Sequence, residues 1–173
     1  MKFPHLALDI GIGLLAGLTA TKVTERAQQA LWPATPENIR QQEKRVRPGP
    51  PFRVAAEKTA DLAGLDLDEA DIQTAGMAFH YASGVAWGPV YCVMRRAAGM
   101  ESVGAGVATG ASMSVILDEL VTPAFGFSAP NRDYPTVTHV RGLLGHLAYG
   151  LALAGTAEVL YRLAEPRATE QRI

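Results

Sequence analysis

The feature that most constrains the fold is a set of long stretches with almost no charged residues. Residues 72–94, 102–117 and 142–157 contain no Lys, Arg, Asp or Glu, and residues 3–21 contain a single one, Asp9. A helix of about 20 apolar residues crosses the roughly 30 Å hydrocarbon core of a bilayer. The stretches therefore predict four membrane-spanning helices, at about 4–22, 72–94, 102–125 and 141–163.

The composition agrees with a membrane location and excludes several other classes. Hydrophobic residues make up 48% of the 173-residue chain and charged residues 19%, which excludes a disordered chain. The formal net charge of −1 excludes a dedicated nucleic-acid binder, and the single cysteine, Cys92, excludes an intrachain disulfide. We expect one all-α domain over residues 1–173, an integral membrane four-helix bundle whose partner is the lipid bilayer.

Two alternatives to this fold are open. A soluble all-α bundle with buried helices is one, but soluble helices carry a polar stripe and 72–94 has no charge on any face. A cleaved signal peptide at the N-terminus, with Lys2 as its basic region, is the other. Asp9 interrupts its apolar run, and cleavage after Ala20 would place Leu18 where a small residue belongs. We therefore expect the first segment to be retained.

Glycines recur four residues apart in three of the predicted spans, and a fourth span has them eight apart. Residues at this spacing share one face of a helix, and small residues there let helix backbones approach closely in lipid. Small-residue faces left over after bundle formation would favour a homo-oligomer or a larger membrane complex. The predicted helix-packing residues are Gly13, Gly17, Gly84, Gly88, Gly106, Gly110, Gly142 and Gly150.

The segment between the first two predicted spans, 23–70, is charged and proline-rich. Thr35, Pro36 and Glu37 have the pattern of a helix start, which predicts a short helix to about Arg47. A second short helix is predicted over 52–63. This segment is therefore expected to be an extramembrane region with short helices. Its basic run either contacts lipid phosphates or is a solvated helix face; the run consists of Arg40, Lys44, Arg45 and Arg47.

The orientation of the chain follows from the shortest predicted loop. Arg95 and Arg96 lie in the short turn between the second and third spans, and short cytoplasmic loops are enriched in basic residues. We expect a bacterial inner (plasma) membrane protein with both termini in the cytoplasm. The 22–71 region is then periplasmic.

Four ionisable residues are predicted to lie at one level inside the membrane: His80, Asp118, Glu119 and His146. The rise of 1.5 Å per residue puts all four at a similar depth below the outer surface, whereas Asp9 lies towards the opposite face. Such groups could bind a divalent metal, relay protons, or hydrogen-bond the helices together. Asp118 and Glu119 are adjacent, about 100° apart on an α-helix, so at most one should face both histidines.

Patterns typical of enzymes are lacking in the sequence. There is no HExxH or ExxH spacing, and the Gly-rich stretch 104–110 lacks the Lys-Ser/Thr of a phosphate-binding loop. No catalytic residue and no cofactor is therefore predicted, and a divalent metal is only an alternative.

The second and last spans carry a family resemblance. HYASGVAWGPVYC (80–92) and GLLGHLAYG (142–150), together with GLLAGLTATKVTE (13–25) and LVTPAFGF (120–127), resemble the YagU-like bacterial inner-membrane proteins of unknown function. The resemblance spans about residues 10–163. It implies a small inner-membrane protein with several helices and cytoplasmic termini, and it supplies no catalytic residues. The adjacent pair Asp118 and Glu119 departs from the family pattern.

The expected function is non-enzymatic. We expect a small multi-pass membrane protein with a structural, accessory or envelope-stress role, either as an oligomer or as a subunit of a larger membrane assembly. Two alternatives use the His80, Asp118, Glu119 and His146 layer. One is a proton- or ion-handling membrane protein, and the other is an intramembrane metal-dependent enzyme.

Overall fold

The computed structural model describes residues 6–164, which are helical with no β-strand among them. A π-helical turn, Val93–Ala97, follows the fourth helix, and the π-helical segment Ser114–Val121 joins the fifth helix to the sixth. A 3-10 turn, Asn131–Asp133, precedes the last helix. The α-helices are α1 (Leu6–Ala34), α2 (Glu37–Val46), α3 (Pro51–Ala63), α4 (Glu69–Cys92), α5 (Ser102–Met113), α6 (Thr122–Ala124) and α7 (Thr136–Ala164).

The long helices pack side by side with alternating direction. α1 lies between α4 and α7, α5 packs on the other side of α7, and α3 packs on α4. Gly13 lies against Gly88 while Gly17 lies against Gly84, so α1 and α4 are antiparallel. One end of the assembly therefore carries the α4–α5 turn, and the other carries α2, α3 and the loop before α7.

Helix α4 begins, and helix α3 begins and ends, at residues that favour helix boundaries. Asp68 Oδ1 accepts a hydrogen bond of 2.9 Å from the backbone N–H of Asp71 and caps α4. Pro51 occupies the first turn of α3, and Gly64, with φ of 67°, ends that helix in the left-handed conformation. Helices α2 and α3 thus lie in the segment for which short helices were predicted.

The first helix is longer than the sequence prediction. α1 continues to Ala34, whereas the predicted span ended at about residue 22. Residues 23–34 are rich in Ala, Gln, Glu and Arg, which favour a helix, and the first proline among them is Pro33. The charged residues Lys22, Glu25 and Arg26 end the apolar run, but they do not end the helix.

Buried and exposed apolar residues are distributed unusually. The fully buried positions between the helices are mostly small, including Ala16, Ala105 and Ala157 at 0% exposure. Large aliphatic side chains point outwards, with Leu15 at 58% and Leu120 at 57% exposure. The interior of the assembly is therefore built on close backbone approach, and its exterior is apolar.

Within residues 6–164, two helices, α1 and α7, are long and apolar enough to cross a membrane by length and composition. Only 33% of the residues in the most apolar stretch of each helix are buried. The other two predicted spans differ from them for separate reasons. α5 has 12 residues before the π-helical segment begins, and α4, although 24 residues long, is diluted by polar residues.

Candidate functional site

Two histidine–carboxylate pairs join α7 to the π-helical segment Ser114–Val121. His146 Nε2 lies 3.0 Å from Asp118 Oδ2, and His139 Nδ1 lies 2.7 Å from Glu119 Oε1. The two histidines are seven residues apart and so share one face of α7. A π-helical turn holds more residues than an α-helical turn, so the adjacent acids are offset differently from the 100° of an α-helix. Both acids therefore reach a histidine on the same helix.

The other predicted histidine, His80, has a different partner. His80 Nε2 on α4 lies 3.3 Å from Glu25 Oε1 on α1. The Tyr81 hydroxyl donates to the same Glu25 oxygen at 2.6 Å, and Lys22 Nζ lies 3.3 Å from the other oxygen and donates to Tyr81. These contacts join α1 to α4 through a polar network of neighbouring side chains.

The four predicted layer residues consequently do not form one cluster. The structure brings Asp118 and His146 together, gives Glu119 the partner His139, and gives His80 the partner Glu25. Among the described residues, no group of three or more His, Cys, Asp or Glu side chains is placed to hold a metal ion. The geometry is that of separate acid–base pairs bridging helices.

A buried ion pair attaches α2 to α7. Both oxygens of Glu43, whose side chain is 3% exposed, accept from Arg141 Nη2 at 2.7 and 2.8 Å. Thr138 donates to the same carboxylate at 2.9 Å, and Arg47 Nη1 lies 3.4 Å from it. The Arg141 guanidinium also lies 4.8 Å from the centre of the Trp32 ring. Charge pairing therefore attaches α2 to the start of α7, and the cation–π contact attaches α7 to the end of α1.

These groups surround a cavity of about 570 Å³. Its walls come from the C-terminal part of α1, from α2, from the π-helical segment, from the loop before α7 and from the start of α7. Both polar and aromatic side chains line these walls. The lining includes Trp32, Glu43, Arg47, Asp118, Glu119, Tyr134, His139 and Arg141.

The opposite end of the helices carries a second set of ion pairs. Arg95 Nε lies 2.7 Å from Glu158 Oε1, and Arg96 Nε lies 3.2 Å from Asp9 Oδ1. The Tyr161 hydroxyl donates to Asp9 at 3.0 Å. The hydrogen bond to Glu158 raises the pKa of Arg95, so this guanidinium stays charged. The α4–α5 turn is thus tied to both α1 and α7, and Asp9 has its partners far from the cavity.

Seven of the eight glycines singled out in the sequence lie at two helix seams, α1–α4 and α5–α7. A Cβ at Gly13 would lie 2.7 Å from the backbone nitrogen of Pro89 on α4. A Cβ at Gly106 would lie 2.5 Å from the carbonyl oxygen of Gly150 on α7, and one at Gly110 would overlap the carbonyl of His146. Backbone meets backbone at these positions, and no side chain fits between.

Gly142 has a different neighbour. A Cβ there would lie 3.1 Å from Asp118 Oδ2. This glycine thus leaves room for the carboxylate that pairs with His146, beside the cavity.

Glu43, Arg141 and His139 were not predicted as site residues from the sequence. A signal for Glu43 was present: it shares a helical face with Ile39 and Val46, four residues before it and three after it. An acidic residue within such a stripe indicates a buried partner of opposite charge. The sequence offered no comparable signal for Arg141 or His139, because their partners lie on remote segments.

The cavity presents charged and polar side chains of both signs, and its histidine–carboxylate pairs bridge helices. Each arrangement is fixed by contacts between helices distant in sequence. The chain has no match among protein-family models, curated proteins or solved structures.

Proposed function

We propose that this chain is a small, non-enzymatic, multi-pass protein of the bacterial inner membrane, a four-helix bundle with a structural or accessory role. The observation that carries the proposal is the packing, in which mostly alanine and glycine lie between the helices while most leucine and valine side chains are exposed. The fully buried Leu153 is an exception. Without a hydrophobic drive between helices in lipid, association depends on close packing at small residues. A soluble protein with such an exterior would expose a large apolar surface to water.

The charged groups agree with this placement, because they concentrate at the two ends of the helices. Arg95 and Arg96 pair with acids at one end, and the Glu43–Arg141 pair lies at the other. Ionisable groups near a membrane are expected to be paired. Basic residues in a short turn favour the cytoplasmic side for that turn and hence for both termini.

An assembly role is supported by small residues that remain open on the outer surface. A Cβ at Gly11 or Gly155 would meet nothing within 4 Å. Such positions permit a second helix to approach closely. We extend the proposal to a homo-oligomer or a subunit of a larger membrane complex, and we keep the relationship to the YagU-like family as part of it.

The membrane proposal is tested by alkaline extraction of membranes from a bacterial host that expresses the full chain. The protein should stay in the pellet with integral membrane proteins. Release into the supernatant with peripheral proteins would contradict the proposal.

Topology is tested with single cysteines in a Cys92→Ser background. Asp66→Cys lies in the α3–α4 loop and Ala98→Cys in the α4–α5 turn, and both positions are exposed. An impermeant maleimide should label position 66 in intact spheroplasts and position 98 only after permeabilisation. Equal labelling of both positions in intact spheroplasts would contradict four alternating spans.

A second candidate function is proton handling, favoured by one observation. His146 Nδ1 is buried and has no hydrogen-bond partner among residues 6–164, while its Nε2 contacts Asp118 beside the cavity. A buried imidazole with one nitrogen on a carboxylate and the other free has the geometry of a link in a proton path. Proteoliposomes with an internal pH dye should show proton flux that His146→Gln abolishes. Flux equal to that of empty liposomes would exclude this function.

A further inference from the structure

The cavity at the α2 end has charged groups of both signs on its walls. Arg47 and Arg141 both contact Glu43, so two guanidinium groups share one carboxylate. The Arg141 side chain is 11% exposed and is committed to that pair, whereas the Arg47 side chain is 38% exposed. Arg47 donates through Nε to the Gly49 carbonyl oxygen and through Nη1 to Glu43, and among residues 6–164 nothing bonds its Nη2, which is left for a ligand in the cavity.

The acids of the π-helical segment supply the negative charges. Asp118 and Glu119 are 39% and 30% exposed, and each bonds a histidine through one oxygen. Among residues 6–164, no hydrogen bond reaches the second oxygen of either acid. Each acid therefore has one carboxylate oxygen left to accept a hydrogen bond from a ligand.

A ligand with one charge would be attracted by one set of groups and repelled by the other. We propose that the cavity binds a zwitterion of the phosphoethanolamine class. Its primary ammonium would donate to Asp118 and Glu119, and its phosphate would bind Arg47. An ammonium has three donors, enough to bond both acids at once, and a guanidinium can bind a phosphate through two parallel hydrogen bonds.

The other lining residues suit the uncharged part of such a ligand. Trp32, Pro51 and Tyr134 line the cavity together with the charged groups. Its volume of about 570 Å³ lies within the roughly 300–1,000 Å³ that is usual for ligand sites. The ligand is therefore either a phospholipid headgroup or a free glycerophosphodiester with the same group. Only the lipid source rests on the proposed membrane function.

The first test is calorimetric titration of the purified full-length protein in detergent. Glycerophosphoethanolamine should bind, and glycerophosphocholine, whose quaternary ammonium has no N–H donor, should bind at least about tenfold more weakly. Equal binding of the two compounds would overturn the proposal.

Charge-removing variants test the assigned contacts. Asp118→Asn, Glu119→Gln and Arg47→Gln should each weaken binding by about tenfold. The matched controls Asp61→Asn and Arg45→Gln remove the same charges at exposed positions outside the cavity and should leave binding unchanged. Circular dichroism identifies variants that fail to fold, and the three cavity variants provide independent readings. Unchanged binding in the folded cavity variants would overturn the proposal.

The lipid source is tested in nanodiscs, with native mass spectrometry of the bound lipid. Retention of phosphatidylethanolamine over phosphatidylcholine, lost in Arg47→Gln, would support the proposal with a lipid as the source. Binding of neither the free compound nor the lipid would overturn it. Release of the protein by alkali, together with binding of the free compound, would contradict the membrane proposal and leave this one standing.

Discussion

The carbonyl oxygen of Gly13 on α1 occupies the space that a Cβ at Gly88 on α4 would need. Both partners at this contact are backbone atoms, which cannot rotate away as a side chain can. We predict that Gly88→Ala lowers the free energy of unfolding by about 1–3 kcal/mol, because the helices must separate or shift. Denaturation in detergent micelles, followed by circular dichroism, measures this change.

Gly155→Ala is the control for the seam, since a Cβ there meets nothing within 4 Å. It should raise stability by about 0.5–1 kcal/mol, because alanine loses less conformational freedom in a helix than glycine does. Similar effects of the two substitutions would show that the α1–α4 contact is not close in solution.

The Tyr149 side chain joins α7 to α4 in the centre of the assembly. It is 1% exposed, and its hydroxyl donates a hydrogen bond to the carbonyl oxygen of Gly84. We predict that Tyr149→Phe costs about 1 kcal/mol of stability, because the ring remains while the hydrogen bond is lost. The same denaturation measurement tests this, and an unchanged midpoint would mean that the hydrogen bond adds nothing.

The Glu43–Arg141 pair should control the attachment of α2. Glu43→Gln removes the charge that balances Arg141 in a buried position, and such uncompensated charges cost about 3–5 kcal/mol. We predict that α2 detaches and is cut by trypsin between Arg40 and Arg47 at protease concentrations that spare the wild type. Glu37→Gln, whose side chain is 59% exposed, is the matched control and should leave the digestion rate unchanged.

The Arg95–Glu158 pair at the other end should contribute less. The side chains are 34% and 24% exposed, so solvent screens their attraction. A double-mutant cycle with Arg95→Gln and Glu158→Gln should give a coupling energy of about 1 kcal/mol. A coupling energy near zero would indicate that the pair does not stabilise the turn.

The sequence predicted those features that depend on local spacing. The recurrence of Gly13 and Gly17, and of Gly106 and Gly110, was visible because a close helix contact requires the absence of a side chain at every fourth residue. The start of α2 was visible because Pro36 acts on the adjacent backbone. Such signals require no knowledge of tertiary structure.

The residues that line the cavity could not be predicted from local spacing. Glu43 and Arg141 are 98 residues apart, and their contact depends on the direction in which α2 folds back. The assumption of an α-helix over 102–125 led to the expectation that at most one of Asp118 and Glu119 would face both predicted histidines, and in the structure neither acid pairs with both. The π-helical segment changes their angular offset, and the second acid then reaches His139, which the prediction had not considered.

The π-helical segment Ser114–Val121 makes the number of residues in this stretch more important than their identity. A π-helical turn contains about one residue more than an α-helical turn. Deletion of one residue would therefore convert the segment into a continuous α-helix. Codon changes at Val115, Ile116 or Leu120 to other apolar residues would leave both acids beside their histidines. An in-frame deletion of a single codon here would preserve a helix and turn Asp118 away from His146. A change in the length of this stretch would therefore disturb the two pairs more than an apolar substitution would.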